Sequence, residues 1–319
     1  DLQLWIGDAN LVASVNSSGT FTANRLDLNE PHRIRTIIAY ELDLLIGTFI
    51  AATVSRAGVF RWDTVSPSWN TYDEVDEVGV NAFIRDDNFV YAQCGRGGRI
   101  YFYNGEKLEP YKRIPGTWNS TSYGEVYPNS VSKYLGRPIF GLSNGSGNPA
   151  EQGVYTLGSY SRDYPKVLDL SWVISQNTTS SIEVGAIIVE DFNLMVAWKD
   201  GANYGVDAIS TTAKYGSAQL DTMVLFENKR DQAKTLEQIE AYYETLPSGT
   251  SITFAYANNH GSFTTLTSVT DTQVNKVFAR LSAENIGALR VRITFGISGN
   301  SAPTVEGIGV KLNGEPTDG

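Results

Sequence analysis

The chain has 319 residues and an acidic balance, with 25 Lys and Arg against 35 Asp and Glu, for a net charge of −10. Proteins that bind nucleic acid present a basic face, so this balance argues against nucleic acid as a partner. The single cysteine, Cys94, excludes an internal disulfide, and no apolar run is long enough to cross a membrane. The length allows about two domains.

Residues 82–108 contain the clearest structural unit, with the sequence AFIRDDNFVYAQCGRGGRIYFYNGEKL. Its apolar segments alternate with a period of two residues, which is typical of strands. The acidic turn 86–88 and the glycine-rich turn 95–98 supply the residue types that tolerate the backbone of a hairpin. We therefore predict two hairpins in series, close to one four-stranded antiparallel sheet, with Cys94 buried as an inert thiol.

This unit occurs five times. The first three copies cover residues 1 to about 35, 36–77 and 78–118. A loop at 119–128 follows, after which the fourth copy ends at 175 and the fifth ends near 220. A ten-residue insertion, 141–150, lengthens the fourth copy and is expected to be a mobile hairpin tip. In each copy a glycine opens the third strand; these are Gly19, Gly58, Gly98, Gly153 and Gly205. About four strands in each repeat, at the spacing of these glycines, indicate the blades of a β-propeller. A stack of hairpins or an irregular sandwich is the alternative. The start at Asp1, almost within a blade, leaves open a propeller that is incomplete at its N-terminus.

Composition changes after residue 220, where short alternating strands predict an antiparallel β-sandwich. The segments 252–256, 289–295 and 305–312 have clear strand character, whereas 235–243 fits a helix or a strand and is assigned here as a strand. The predicted architecture is therefore all-β, with a propeller at 1–220, a sandwich at 221–314 and a disordered tail at 315–319.

The segments LPSGTSI at 246–252 and SAPTVEGI at 301–308 carry a resemblance. Together with the repeats they resemble structural proteins of tailed-bacteriophage virions, whose propeller-plus-sandwich subunits build or decorate tails and connectors. The resemblance implies a non-enzymatic component of the virion, present in many copies, with other virion proteins as partners. It supplies no catalytic residues. Separately, neither a membrane nor a cofactor is expected.

Residues that could carry chemistry are few. The two histidines, His32 and His260, are predicted in solvent-exposed loops rather than in a metal site or a catalytic triad. The acidic run 73–77 lacks the ligand spacing and glycine of a calcium loop and is expected to be a solvated linker. Four aspartates occupy equivalent turns of successive blades; they are Asp8, Asp43, Asp87 and Asp191. A propeller glycosidase needs two or three carboxylates that converge on one sugar, and these residues could supply them. The backbone geometry of a hairpin turn also selects aspartate without any catalytic role.

The remaining candidates are contacts to a ligand or partner. Four aromatic residues near turns could stack on sugar faces, although blade aromatics more often pack between sheets; they are Trp62, Trp69, Trp118 and Tyr123. Ile308 lies on the last strand, which is expected at a sheet edge where another chain could pair with it. A carbohydrate-binding module, with a host glycan as partner, is therefore the second functional hypothesis, and a propeller glycosidase is the third.

Overall fold

The computed structural model describes residues 3–51, 54–114, 124–144, 152–159, 166–175, 182–210, 216–222, 224–225, 234–259, 261–283 and 286–314. Several predictions fall outside these residues: the insertion tip 145–150, the tail 315–319, and the candidate residues Trp118, Tyr123 and His260. Within the described ranges, no helix has the length and apolar character needed to cross a membrane. The described secondary structure is all-β, as predicted.

The described residues form 25 strands, numbered in chain order. They are β1 (Gln3–Asp8), β2 (Leu11–Asn16), β3 (Phe21–Asp27), β4 (Arg33–Tyr40), β5 (Asp43–Phe49), β6 (Ala57–Trp62), β7 (Thr71–Val75), β8 (Val80–Asp86), β9 (Phe89–Cys94), β10 (Arg99–Tyr103), β11 (Leu108–Arg113), β12 (Gly124–Tyr134), β13 (Arg137–Asn144), β14 (Gly153–Gly158), β15 (Val167–Val173), β16 (Ile182–Glu190), β17 (Asn193–Asp200), β18 (Asn203–Ala208), β19 (Ser217–Asp221), β20 (Lys234–Tyr243), β21 (Ser251–Asn258), β22 (Thr264–Val269), β23 (Lys276–Ala283), β24 (Leu289–Gly296) and β25 (Val305–Gly314).

The first of two compact units, Asp1–Ile209, contains five antiparallel sheets that match the five predicted copies. We call them blade 1 (β1-β2-β3), blade 2 (β4-β5-β6-β7), blade 3 (β8-β9-β10-β11), blade 4 (β12-β13-β14-β15) and blade 5 (β16-β17-β18). The first strand of each blade contacts the first strand of the next, from β1 through β4, β8 and β12 to β16. First strands are therefore the innermost ones, as in a propeller. The predicted blade-like architecture is confirmed.

Successive blades are held together by apolar clusters between their faces. Ile84 of blade 3 and Phe140 of blade 4, for example, are both fully buried in one such cluster. Blades 4 and 5 approach so closely that a Cβ on Gly141 would lie 2.2 Å from Cγ1 of Val184. Each blade alternates its side chains between two faces, so an inner blade needs a neighbour on both sides to exclude water.

A buried polar network joins blades 3 and 4. The side-chain oxygen of Gln93 accepts hydrogen bonds from Nδ2 of Asn81 at 2.7 Å and from the backbone N–H of Val126 at 3.1 Å. Nε2 of Gln93 donates to the carbonyl of Gly95 at 3.0 Å. Gln93 is completely buried, so these bonds replace the water that its amide loses on folding.

The second unit, Ser210–Gly319, contains two antiparallel sheets, β19-β24-β21-β22 and β23-β20-β25. Their side chains share one core, in which Tyr243 of β20 packs with Phe254 of β21 and Ile293 of β24. The two sheets therefore face each other, and residues 235–243 form a strand as predicted. β25 lies at the edge of its sheet, and the Ile308 side chain packs inward against the shared core.

Two local predictions differ from the structure. β19 pairs with β24, so the division between the units falls at 209/210 rather than at 220/221. The acidic run 73–77 is not a solvated linker, because 71–75 form the outer strand of blade 2 and Glu77 is 9% exposed. Glu77 accepts hydrogen bonds from Arg99 and Tyr101, both at 2.9 Å, and so connects blade 2 to blade 3.

Candidate functional site

The innermost strands of blades 1 to 4 surround a cavity of about 780 Å³, which we call the axial cavity. This volume falls within the range of roughly 300–1,000 Å³ that is usual for small-molecule sites. The lining combines apolar and polar side chains from all four strands or the turns that follow them; they include Trp5, Ile34, Arg35, Ile37, Phe83, Arg85, Asp87, Asn129, Ser132 and Lys133.

Strand geometry determines which residues of blade 3 reach the cavity. Phe83 and Arg85 line it, whereas Ile84 and Asp86 on the same strand face blade 4. Asp86 forms an ion pair with Lys166, which precedes β15 of that blade. This alternation is the two-residue period of a strand. Asp87 then reaches the cavity from the turn after β8, where its backbone φ is +50°.

A bulge brings part of blade 4 into the cavity. The register of β12 against β13 shifts between Val126 and Val131, and the unpaired residues in between include Pro128 and Asn129. Both of these residues are exposed and line the cavity. A bulge bends a strand and redirects its side chains, so it adds polar groups that a regular strand would place elsewhere.

One wall of the cavity is apolar. The half-buried Trp5 indole packs edge-on against Trp62, with ring centroids 5.4 Å apart. Beside it, Gly7 leaves room for Ile34, since a Cβ at position 7 would lie 2.5 Å from Cγ2 of Ile34. Phe83, which is 5% exposed, also lines the cavity. The wall is therefore fixed by packing before any ligand enters.

The lining also carries charged groups held by specific partners. Nη2 of Arg35 donates to Oε2 of Glu125 at 2.9 Å, and Oε1 of Glu125 accepts from Nε of Arg96 at 3.1 Å. Lys133 forms an ion pair with Asp87. Arg85 donates to two backbone carbonyls, from Nη1 to Ala39 and from Nε to Asp87, both at 3.3 Å. These contacts connect blades 2, 3 and 4 around the cavity.

The two candidate aromatic residues that the structure describes, Trp62 and Trp69, are not among the residues that line the axial cavity. Trp62 is 1% exposed, and its Nε1 donates to the carbonyl of Ser66 at 2.8 Å, so it fills the core between blades 1 and 2. Trp69 is half-buried and packs edge-on against Phe60 at 5.2 Å. The aromatic residue of this region that reaches the cavity is Trp5, which the sequence analysis did not single out.

The four turn aspartates do not converge. Asp87 lines the axial cavity, whereas Asp8, Asp43 and Asp191 are not among its lining residues. Asp43 instead pairs with Arg61, and this hydrogen bond raises the pKa of the Arg61 guanidinium. Asp87 and Asp191 both have positive φ, at +50° and +54°, as turn chemistry requires.

Two other potentially reactive side chains, Cys94 and His32, are packed against neighbouring residues. Cys94 is completely buried as predicted, and burial raises the pKa of its thiol well above the usual range. Nδ1 of His32 lies 3.1 Å from Oγ1 of Thr48, and burial lowers the pKa of its imidazole. In the part of the chain that the structure describes, no three metal-ligating side chains of the His, Cys, Asp or Glu type cluster together.

Comparisons with known proteins give structural neighbours alone. No family model and no curated protein matches the chain. One solved structure of similar fold is an exo-β-1,3-galactanase from Phanerochaete chrysosporium with β-1,3-galactotriose, at 11% identity and a TM-score of 0.38, with 95% of this chain and 90% of that chain covered. Another is a GH43 glycoside hydrolase engineered for endo-xylanase and exo-arabinofuranosidase activity, at 9% identity and a TM-score of 0.33, with 97% and 95% covered. At this identity, the likeness concerns the fold.

The prediction of a non-enzymatic virion structural protein is contradicted by these comparisons. The neighbours are glycoside hydrolases, and nothing among the family models or curated proteins identifies a component of a bacteriophage tail or connector. The segments behind that prediction have a local explanation. In 246–252 the backbone N–H and the hydroxyl of Thr250 both donate to the carbonyl of Pro247, at 3.0 and 2.7 Å, which closes the turn before β21. Such a turn serves antiparallel sheets in general. The propeller part of the prediction stands and the viral part does not.

Proposed function

We propose that the protein binds carbohydrate in the axial cavity. The observation that supports this is the combination, in one cavity lining, of apolar side chains around Trp5 with polar groups held by fixed partners. A pyranose ring has apolar C–H faces and a rim of hydroxyl groups. It therefore needs a flat apolar surface and hydrogen-bonding groups at set positions, and the cavity offers both.

The polar groups are held in place in advance. Arg85 is fixed by two backbone carbonyls, and Asp87 by Lys133, so little side-chain freedom remains to be lost when a ligand binds. Ser132 and the exposed Asn129 add groups that can both donate and accept hydrogen bonds. Groups ordered in the free protein reduce the entropic cost of binding.

Titration calorimetry against a panel of oligosaccharides tests the proposal. Trp5→Ala should weaken binding about tenfold or more, because an aromatic anchor is lost. Trp69→Ala is the matched control, since Trp69 packs against the same core between blades 1 and 2 but lies outside the cavity. Asn129→Ala, at an exposed position, should weaken binding with little effect on folding. Equal losses for the Trp5 and Trp69 variants would contradict the assignment.

Glycoside hydrolysis is a second candidate, favoured by the Asp87 carboxylate that lines the cavity. Hydrolysis needs a second carboxylate, and Asp87 is the one carboxylate in the described lining of the cavity. Release of reducing sugar by the unmodified protein, and its loss in Asp87→Asn, would support catalysis. Sugar binding without any release would restrict the function to binding.

A further inference from the structure

Charge is unevenly distributed around the axial cavity. Its lining contains three cationic side chains, Arg35, Arg85 and Lys133, and one carboxylate, Asp87. The chain as a whole has a net charge of −10, so this region is opposite in sign to the rest of the protein. A locally positive cavity in an acidic protein raises the local concentration of anions and favours their binding.

The ion pairs leave this charge only partly compensated. Glu125 is shared between Arg35 and Arg96, so two guanidinium groups surround one carboxylate. Lys133 and Asp87 compensate each other. Nearby acidic side chains have their own partners, since Asp86 pairs with Lys166 and both Glu41 and Asp43 contact Arg61. These contacts leave the positive charge of Arg85 without an acidic partner in the described structure.

Arg85 is held in place while part of its guanidinium makes no hydrogen bond to the residues that the structure describes. Its Nε and Nη1 each donate to a backbone carbonyl, at 3.3 Å, which fixes the plane of the group. A guanidinium has five N–H donors, so the Nη2 edge keeps its donors for a ligand. The side chain is exposed and lines the cavity. A fixed planar fork suits a carboxylate better than a neutral hydroxyl.

We infer that the axial cavity selects acidic saccharides, with the carboxylate of a sugar acid bound by Arg85 and with Lys133 as the second cation. This inference rests on the proposed carbohydrate binding and adds the chemical class of the ligand. The apolar wall at Trp5 then receives a face of the sugar ring, while the charged groups bind its carboxylate.

Two matched pairs of saccharides test the inference by calorimetry: trigalacturonate with its methyl ester, and 3′-sialyllactose with lactose. At least one acidic member should bind about tenfold more tightly than its neutral counterpart, since a charge-assisted bond contributes on that scale. Arg85→Gln should reduce the preference to about twofold or less, whereas Arg85→Lys, which keeps the charge but loses the fork, should retain part of it. Added salt should also reduce the preference.

Lys107→Gln is the matched control, since Lys107 is an exposed cation on the β10–β11 turn of blade 3, paired with Glu109 and outside the cavity. It should leave the preference unchanged. If Arg85→Gln does not fold, Lys133→Gln provides the second reading and should lower the preference as well. Equal binding of the acidic and neutral members would overturn the inference but keep the proposed function. Failure of all four saccharides to bind would overturn both, and an acidic preference that survives in Arg85→Gln and Lys133→Gln would overturn the assigned site.

Discussion

The inner blades and the terminal blades are built from the same repeated pattern but differ in how completely they are buried. Blades 2 to 4 have four strands each, and residues such as Leu45 and Phe140 are fully buried. Blades 1 and 5 have three strands in the described structure and expose large apolar side chains. On the strands of these two blades the most exposed are Leu4 (64%), Phe21 (60%), Ile188 (56%), Tyr204 (74%) and Val206 (66%).

The exposed residues of blade 1 share one face. Trp5 and Gly7 face blade 2, so Leu4 and Ile6, which alternate with them, face away from it. Blade 5 shows the same arrangement. Residues that pair directly across neighbouring strands have their side chains on the same face of the sheet. In blade 5 Ile188 pairs with Met195, and Met195 pairs with Ala208, so these three side chains lie on one face. Burial of an apolar position is thus decided by the place of its blade in the array, which the sequence pattern within one blade does not encode.

The largest difference between the two kinds of blade should appear on truncating a phenylalanine. Phe140→Ala in blade 4 removes a fully buried ring that stacks on Tyr155 at 5.8 Å, and should lower the free energy of unfolding by about 3–5 kcal/mol. Phe21→Ala in blade 1, where the ring is 60% exposed, should change it by about 0.5 kcal/mol or less. Urea titration of both variants measures this, and similar losses would mean that the terminal blade is as well packed as the inner one.

A smaller effect is expected from the polar network between blades 3 and 4. Gln93→Leu leaves the buried N–H of Val126 without its acceptor and removes one of the two acceptors of Asn81 Nδ2, which also donates to the carbonyl of Gly95. The free energy of unfolding should fall by about 1–3 kcal/mol. Gln3→Leu, at an exposed position on blade 1, is the control and should have almost no effect. A neutral Gln93→Leu would show that the network adds nothing to the contact between blades.

The pH dependence of stability should carry a signal from His32 in blade 2. Burial, and secondarily the cation of Arg56, lower the pKa of the folded imidazole, whereas the unfolded chain keeps a pKa near 6.5. Between these two values the unfolded state binds more protons, so stability should fall as the pH drops below about 6.5 and be unaffected above it. His32→Gln should flatten this part of the profile. Denaturant titrations of both proteins across this range measure the difference, and an unchanged slope would rule out His32 as its source.

The smallest change in stability is expected on the open face of blade 5. Replacing Tyr204 with Ser and Val206 with Thr should shift the free energy of unfolding by about 0.5 kcal/mol or less, yet should reduce self-association, because a contiguous apolar patch is broken. Leu42→Ser is the control, since Leu42 is 92% exposed but isolated in the turn after β4. Sedimentation velocity compares the three proteins. Unaltered self-association in the double variant would assign that property to another surface.

The blades were predictable because their determinants are local. Each hairpin is specified within a few residues by strand alternation and by a turn residue that tolerates positive φ, as at Asp87 and Gly98. β19 was missed for the opposite reason. It has five residues, and its partner β24 begins at Leu289, so nothing near Ser217–Asp221 indicates which sheet it joins.

The axial cavity could not be predicted because its parts come together from distant positions. Arg35 and Glu125 are 90 residues apart, and Asn129 reaches the cavity through the bulge in β12. The sequence pattern also does not distinguish Trp5, which lines the cavity, from Trp62, which does not. Their rings are in contact, yet one lines the cavity and the other is buried in the core beside it. Of the four turn aspartates, the sequence pattern placed Asp87 on a par with three that do not line the cavity.

The solitary thiol provides a native reporter of internal motion. Cys94 belongs to the cluster that joins blades 2 and 3, and both its burial and its raised pKa protect it from electrophiles while that cluster is closed. Alkylation can therefore proceed only through transient separation of these two blades or through wider unfolding. The rate of thiol labelling under native conditions measures the frequency of such openings without an introduced probe, and its dependence on denaturant distinguishes a local excursion from global unfolding.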